Sequence, residues 1–371
     1  MGFFESWEEV GARVAEAREA LGLTQAQLAS LVSLERTALA KIERGTRGIS
    51  SLELARLATA VGRPIDWFIR EAPPAVVSRR EALIESTTSR SVDDCLERMA
   101  RNVEFVIELE GLTDPEARPQ HRFGTFEDAE QLAAEVRRGI GLPNGPLTDI
   151  GSVVEQMGLY AFVFEFGKAA DGAYAAVSNA GVAVINGSCA SGRRRFTLAH
   201  ELGHHILSDA YSTDYLDEGS GTIEQLINAF AVYLLMPRNS ILAEWHRLQG
   251  DRDPRSAAIE IAAHFRVSWT AVCSHLRNLA LIDDRARSVL TADPPRRADY
   301  LELGEAFVEE LVSPWLSPSY VAAAIRLYRR NKISADRTLD LLSGTLVETD
   351  LPSPHEIPLD ALRADIPPEV R

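Results

Sequence analysis

The chain has 371 residues, of which 46% are apolar and 25% charged, and its 39 Lys and Arg against 54 Asp and Glu give a net charge of −15. This length predicts two or three domains, and the apolar content excludes a chain that is disordered throughout. Such an acidic protein does not bind polyanions through its overall charge. Any contact with nucleic acid must therefore come from a local surface.

The three cysteines, Cys95, Cys189 and Cys273, are far apart in the sequence and form no C-x-x-C pair. This argues against a disulfide framework and against a thiolate zinc site. The first seven residues lack the basic and apolar regions of a secretory signal, and no apolar run approaches the roughly 20 residues of a membrane span. We therefore expect a cytoplasmic protein with no membrane association.

The first predicted unit is a bundle of four or five helices that contains a tight turn. Thr24 is expected to cap a helix that carries Gln27 in the capping-box position. A short turn follows at residues 32–34, and a second helix over residues 35–43 stops at Gly45. In a helix pair of this kind, the second helix is the one that enters the major groove of DNA.

This segment, "LGLTQAQLASLVSLERTALAKIERGTRGISSLELARLATAVG", resembles the phage-repressor (Xre-type) helix-turn-helix family. The resemblance implies an operator contact through residues 24–47, and sequence-specific binding of this kind favours a homodimer on two half-sites. Five residues would face the DNA and two more would lie near phosphates: Gln25, Arg36, Thr37, Ala38 and Lys41, with Arg44 and Arg47 beside the phosphates.

The charge balance of this unit allows two interpretations. The first 70 residues hold nine basic and nine acidic residues, whereas residues 35–47 hold four basic against two acidic. The local excess favours DNA binding with modest non-specific affinity. The overall neutrality keeps open a unit used only for protein interaction or dimerisation.

Residues 125–238 are predicted to mix helices and strands. Residues 127–140 and 150–157 have helical patterns, and three stretches rich in aromatic or β-branched residues indicate strands at 159–166, 172–177 and 181–185. The pattern returns to helix at residues 195–207 and 222–236, where Pro237 ends it.

The helix over residues 195–207 contains the motif H-E-x-x-H. Because positions i and i+4 share one helix face, His200 and His204 can grip one metal ion. Glu201 can then reach a metal-bound water and accept its proton during attack on a peptide carbonyl. His205 is rotated about 100° from His204 and is expected to face solvent or to support the ligands from behind.

A catalytic zinc site needs a third protein ligand and one open position. The next predicted helix, over residues 222–236, contains Glu224 as a candidate third ligand. Asn228, one turn later, can orient a histidine imidazole by a hydrogen bond. Three acids in the intervening loop are rival ligands: Asp214, Asp217 and Glu218.

Residues 126–283 resemble the ImmA/IrrE family of metallopeptidases through three segments, "AVINGSCASGRRRFTLAHELGHHIL", "EQLINAFAVYLLMP" and "AAHFRVSWTAVCSHLRNLALI". The resemblance implies Zn²⁺ as cofactor, His200, His204 and Glu224 as its ligands, and Glu201 as general base. One departure is Ile227, which replaces the small residue that usually precedes the motif asparagine. It bears on the packing of the ligand helix.

Substrate and transition-state contacts are less specified. Zinc peptidases commonly hold a peptide as an added strand on a sheet edge, and residues 172–177 or 181–185 are candidates for that edge. The candidate oxyanion stabilisers are Arg195, Tyr211 and Tyr233, among which spacing does not choose.

The predicted fold is mainly α with an α+β domain: an N-terminal helical helix-turn-helix bundle, a zincin-like metallopeptidase domain with a small β-sheet and an active-site helix, and a helical C-terminal region. The expected boundaries are 5–72 for the DNA-binding domain, 73–122 for a helical linker, 123–290 for the metallopeptidase domain, 291–350 for the helical C-terminal region and 351–371 for a Pro-rich tail.

These patterns together predict a DNA-binding transcriptional regulator that carries a zinc-dependent endopeptidase. Members of the family that the sequence resembles cleave a partner repressor or antitoxin and so derepress stress, prophage or mobile-element genes. The alternative is a non-proteolytic regulator or antitoxin that uses the peptidase fold as a sensor or a partner-binding scaffold.

Overall fold

The computed structural model describes residues 4–63, 65–69, 75–76, 87–112, 124–168, 170–207, 220–250, 252–304 and 308–355. Its helices are α1 Trp7–Ala20, α2 Gln25–Leu31, α3 Arg36–Glu43, α4 Ser51–Val61, α5 Ile65–Ile69, α6 Thr87–Glu108, α7 Phe126–Gly139, α8 Ile150–Gln156, α9 Ser191–Ile206, α10 Ser220–Leu235, α11 Arg238–Leu248, α12 Pro254–Phe265, α13 Trp269–Asn278, α14 Asp284–Ala292, α15 Arg297–Glu302, α16 Pro318–Arg329 and α17 Ala335–Leu341. Its strands are β1 Ala75–Val76, β2 Leu159–Phe164, β3 Gly172–Val177, β4 Ala180–Asn186 and β5 Trp315–Leu316.

Helices α1 to α5 form the N-terminal bundle that the sequence predicts. Thr24 caps α2, and its side chain and that of Gln27 exchange hydrogen bonds with each other's backbone amides. Ser33, with φ 56°, makes the turn between α2 and α3. The bundle closes over a core of fully buried side chains that includes Leu28, Leu39, Ile42, Leu57 and Phe68.

The five strands form one mixed sheet in the order β1-β3-β4-β2-β5. β4 lies at its centre, antiparallel to β3 and parallel to β2. The two-residue strands β1 and β5 pair with the outer sides of β3 and β2. This confirms the predicted α+β character of the domain.

Both faces of the sheet are covered, because alternate residues of each strand point to opposite sides. Leu159, Ala161 and Val163 of β2 belong to the core that contains α7 to α14. Tyr160 and Phe162 belong to a second core, which α6 and α16 complete. Helix α6, predicted as part of a linker, and α16, from the predicted C-terminal region, thus build one layer of this domain. The domain boundaries expected from the sequence remain predictions.

Among the described residues, no single helix is long and apolar enough to cross a membrane, but α10 from Ile223 and α11 pass that test together as a pair bent by 53°. The apolar side chains of this pair are already used inside the protein, since Phe230, Leu234, Ile241 and Trp245 are buried in the first core.

Candidate metal centre

The start of α9 is held by arginines that follow one another in the sequence. Arg195 is fully buried, donates to the backbone oxygen of Leu147 at 2.7 Å and forms an ion pair with Glu310. Arg194 pairs with Glu309 at 2.6 Å. These contacts tie the helix that carries the H-E-x-x-H motif to the segment before β5, so that the helix has a fixed position on the sheet.

His200 and His204 lie one turn apart on α9, with 3.0 Å between their Nε2 atoms. The Glu224 carboxylate faces both of them, with Oε2 at 3.3 Å from His200 Nε2 and Oε1 at 3.4 Å from His204 Nε2. The three candidate ligand atoms all lie within 4.8 Å of one another. The structure therefore brings together the three residues that the sequence singled out as metal ligands.

Asn228 lies one turn after Glu224 on α10 and braces the first histidine. Its Oδ1 is 3.2 Å from His200 Nδ1. When Nδ1–H donates to this oxygen, Nε2 is unprotonated and its lone pair is available to a metal ion. The rival acids Asp214, Asp217 and Glu218, and the candidate Tyr211, lie outside the described residues.

Close packing of α9 against α10 makes this arrangement possible. A Cβ atom added at Gly203 would lie 2.8 Å from Ile227 Cγ2 and 3.2 Å from Phe230 Cδ1. Only a glycine lets the two helices approach so closely. Ile227, the departure from the family pattern, fills the space over Gly203 and so acts on the packing of the ligand helix.

Glu201 is 1% exposed and lies against the first residue of β3. A Cβ atom at Gly172 would be 3.2 Å from Glu201 Oε1 and 2.6 Å from Thr197 Cγ2. Gly172 begins a strand that the sequence offered as a peptide-binding edge, but its close approach to Glu201 was not predicted. The available signal was a glycine within a strand, which often marks the close approach of another group.

The donor set suits a zinc ion. Burial, helped by the neighbouring His200, lowers the pKa of His204 to about 3, so its imidazole is neutral and its lone pair is available near pH 7. Two imidazoles and one carboxylate match the ligands of catalytic zinc sites. The histidines are buried, whereas the Glu224 side chain is 37% exposed, which leaves one side of the site open.

The structure bears on two further expectations about residues near the site. His205 is not at the surface: it is 4% exposed, with Nδ1 3.1 Å from the Tyr174 hydroxyl oxygen and Nε2 3.0 Å from the Met157 carbonyl oxygen. The Arg195 guanidinium is fully buried and paired with Glu310, so it is poorly placed to stabilise an oxyanion. The run of three arginines at residues 193–195 was the sequence signal for such an ion pair, since buried guanidinium groups need acidic partners.

The remaining oxyanion candidate, Tyr233, is also poorly placed. It follows Glu224 by nine residues, which puts it about 13 Å further along α10 and on the opposite face. Its hydroxyl accepts from Arg238 at 3.1 Å and its ring packs on His275.

The sheet restricts where a peptide can add. β4 cannot be the edge, because it pairs with β2 on one side and with β3 on the other. β3 has β1 on its outer side, and among the described residues this pairing involves Tyr174 and Ala175. The end of β3 at Gly172 is the part of the strand that lies beside Glu201.

Protein-family models match two segments of the chain. A helix-turn-helix model matches residues 14–68, and the model of the IrrE N-terminal-like domain of peptidase family M78 matches residues 154–277. The chain joins an Xre-type helix-turn-helix domain to an ImmA/IrrE-type peptidase domain. Both resemblances seen in the sequence are thereby confirmed.

Three solved structures are similar in part to this regulator. The restriction-modification controller protein C.AhdI from Aeromonas hydrophila is 35% identical over 17% of this chain and 94% of its own, with a TM-score of 0.17. PlcR from Bacillus thuringiensis, in complex with the peptide PapR7 and DNA, is 12% identical over 91% of this chain and 92% of its own, with a TM-score of 0.18. The apo form of ComR from S. thermophilus is 13% identical over 92% of this chain and 96% of its own, with a TM-score of 0.16. None of these scores supports a conclusion about fold or function. No curated protein matched the chain.

The helix-turn-helix domain of this regulator presents a basic surface on α3. Arg36, Thr37 and Lys41 are exposed there. Arg44, which follows the helix directly, is also exposed, and its Nε donates to the carbonyl oxygen of Ala40. The other residues expected at the DNA are less accessible: Ala38 and Gln25 are half-buried, Gln25 donates to Glu43 Oε2 at 2.7 Å, and Arg47 pairs with Glu53 at 2.6 Å.

Proposed function

We propose that this regulator is a zinc-dependent endopeptidase that cleaves a partner repressor or antitoxin and binds operator DNA as a homodimer through residues 24–47. The observation that carries the enzymatic part is the meeting of His200, His204 and Glu224 within 4.8 Å, with Glu201 between the two histidines in the sequence. Access to operator DNA implies the cytoplasm as the place of action.

Zinc bound by these three residues supplies Lewis-acid activation of water and of a peptide carbonyl. His200 and His204 hold their positions because α9 is clamped at its start and because Asn228 orients the first imidazole. Glu224 contributes the negative charge and lies on the open side of the site.

Glu201 is the group that moves protons in this proposal. Its carboxylate accepts a proton from the attacking water and returns it to the leaving amine nitrogen, as a general base and then a general acid. Burial beside Gly172 keeps the carboxylate next to the end of β3. A substrate strand added at that end would pass directly beside it.

The test compares the full chain with Glu201→Gln and Arg138→Gln. Each purified protein is loaded with zinc and incubated with a lysate of the native host, and newly formed protein N-termini are labelled and identified. We expect new termini in one or a few DNA-binding proteins or toxin-neutralising proteins with the wild type and with the exposed-surface control Arg138→Gln. Glu201→Gln retains zinc but produces none, because the ligands are unchanged.

Termini that appear equally with Glu201→Gln would overturn the catalytic assignment. Stoichiometric zinc without any new termini would favour the second candidate, a regulator that uses the peptidase fold as a sensor. A purified chain that holds no zinc and ignores chelators would remove the metal from the proposal altogether.

A further inference from the structure

A cavity of about 640 Å³ lies between the helix-turn-helix domain and the body of the protein, and its lining does not include the candidate metal ligands. One wall comes from α1, α4 and α5, and the other from α6, the end of β2 and α17. Its volume falls within the range of small-molecule sites, which are about 300–1,000 Å³. The cavity is therefore large enough for a metabolite that touches both parts of the chain.

The polar wall of the cavity holds more arginines than aspartates. Four arginines line it, against two aspartates: Arg63, Arg98, Arg101 and Arg337, with Asp94 and Asp340. Both aspartates are already engaged, Asp94 by Arg63 and Asp340 by Arg337. Arg101 is paired with Glu97 at 2.8 Å, which leaves Arg98 as the arginine of the wall for which the described residues give no acidic partner.

Arg98 is the cation best placed to meet a ligand. Its side chain is exposed, and the contact that the structure gives it is a weak one, from Nη2 to the Cys95 sulfur at 3.9 Å. Arg337 adds a fixed guanidinium, held by Asn102 Oδ1 at 3.2 Å and stacked 4.7 Å from the ring of Phe105. Arginine guanidinium groups bind phosphates and carboxylates in paired hydrogen bonds.

The adjoining surface is acidic, but its carboxylates already have partners. A smaller cavity of about 250 Å³ shares Arg63 and Trp67 with the first and is lined by four acids, Glu16, Glu19, Asp93 and Asp94, of which Asp94 pairs with Arg63. These glutamates pair with arginines of their own helix, Glu16 with Arg13 and Glu19 with Arg18.

The rest of the wall is apolar and partly aromatic. Phe164 and Phe166 line the side that belongs to the body, and Trp67 and Val61 line the side that belongs to the DNA-binding domain. The Trp67 ring is rigidly held, with the Arg13 Cζ 3.9 Å and the Arg63 Cζ 5.0 Å from its centre. Such a wall favours a ligand whose charged group is attached to a ring or a hydrocarbon chain.

We infer that this cavity binds an organic anion, a phosphate monoester or a carboxylate carried on a ring or an alkyl chain, between the DNA-binding domain and the body. The anionic group contacts Arg98 and Arg337, and the apolar part lies against Phe166 and Trp67. Because the ligand touches both parts of the chain, its binding stabilises their relative position.

The test is isothermal titration of the full chain with AMP and with octanoate, in the presence of a chelator so that anions cannot bind to zinc. Inorganic phosphate and adenosine are the control ligands, since each has only half of the required chemistry. The variants are Arg98→Glu, Phe166→Ala and the control Arg138→Glu, which changes an exposed arginine of α7 outside the cavity.

We expect AMP, octanoate or both to bind one per chain with a Kd below about 1 mM. Arg98→Glu should weaken this binding about tenfold or more, because it removes a charge-assisted contact and adds a repulsive charge. Phe166→Ala should weaken the binding of the organic anions, whereas Arg138→Glu should leave their binding unchanged. Saturation by AMP alone would identify the phosphate form of the ligand, and saturation by octanoate alone the carboxylate form.

Failure of both AMP and octanoate to saturate the chain at millimolar concentration would overturn the inference. Binding that Arg98→Glu leaves unchanged, or inorganic phosphate binding as tightly as either organic anion, would also overturn it. The chelator and the separate variants keep these outcomes independent of the proposed peptidase activity.

Discussion

Asn228 Oδ1 lies 3.2 Å from His200 Nδ1, so a residue of α10 orients a metal-ligand candidate of α9. The same helix supplies Glu224, one turn earlier. The position of one helix thus controls both the third ligand and the orientation of the first. This relationship leads to a direct prediction about metal affinity.

Replacing Asn228 with alanine should lower zinc affinity about 10- to 100-fold, because the His200 ring loses the partner that fixes its orientation. The measurement is competition for zinc against a chromophoric chelator. The matched control is Gln225→Ala, an exposed position on the same helix, which should keep the affinity of the wild type. Equal affinity of Asn228→Ala and wild type would show that the hydrogen bond does not orient a ligand.

Glu310 should be essential for the stability of the peptidase domain, although it lies far from the motif in the sequence. Its carboxylate pairs with the fully buried Arg195 and with Arg266. Removing one partner of a buried pair leaves an uncompensated charge and costs about 3–5 kcal/mol. We therefore expect Glu310→Gln to lower the free energy of unfolding in urea by about 3 kcal/mol or more.

The neighbouring residue provides the control for that variant. Glu309 is 56% exposed and pairs with Arg194, so Glu309→Gln should cost less than about 1 kcal/mol. A similar loss in both variants would mean that Glu310 contributes no more than a surface ion pair.

The protein should lose stability in mild acid through His275. This side chain is 2% exposed and hydrogen-bonds the Met236 carbonyl oxygen at 3.0 Å, and burial lowers its pKa to about 4. The unfolded chain, with an ordinary pKa near 6.5, binds the proton more readily, so stability is full above about pH 6.5 and falls as the pH drops toward 4. At pH 5 this group accounts for a loss of about 2 kcal/mol.

Urea unfolding at pH 7.5 and pH 5, with a chelator present, measures this loss. His275→Gln retains a donor for Met236 and should show a difference between the two pH values that is smaller by about 2 kcal/mol. His246→Gln, at an exposed position of α11, should behave as the wild type. An unchanged pH dependence in His275→Gln would assign the acid sensitivity to other groups.

DNA binding should depend on the exposed cations of α3. Arg36→Ala or Lys41→Ala is expected to weaken binding to DNA from the region upstream of the gene about tenfold. A lost phosphate contact also weakens the salt dependence, so that the negative slope of log affinity against log salt becomes shallower by about one. Fluorescence anisotropy between about 50 and 200 mM salt measures both quantities.

The control for α3 is Arg138→Ala, which makes the same charge change in another part of the chain. Its affinity and salt slope should equal those of the wild type. If neither Arg36→Ala nor Lys41→Ala alters binding, the helix-turn-helix domain serves protein interaction instead of DNA.

The sequence alone was sufficient wherever the chemistry is local. The pair His200 and His204 needs only the helical repeat, and the cap of α2 needs only Thr24 and Gln27 three residues apart. The strands predicted at 172–177 and 181–185 were likewise visible as short apolar segments around a turn, and the structure has them at Gly172–Val177 and Ala180–Asn186. These features are determined within a few residues of chain.

Tertiary structure decided everything that depends on which elements meet. Glu224 reaches the histidines because α10 packs on α9 through Gly203 and Ile227, a contact between residues more than 20 positions apart. Arg195 was one of three oxyanion candidates in the sequence, yet its guanidinium is paired with Glu310, 115 residues away. Sequence distance carries no information about such partners, because long-range packing is chosen by the shape and charge of whole surfaces.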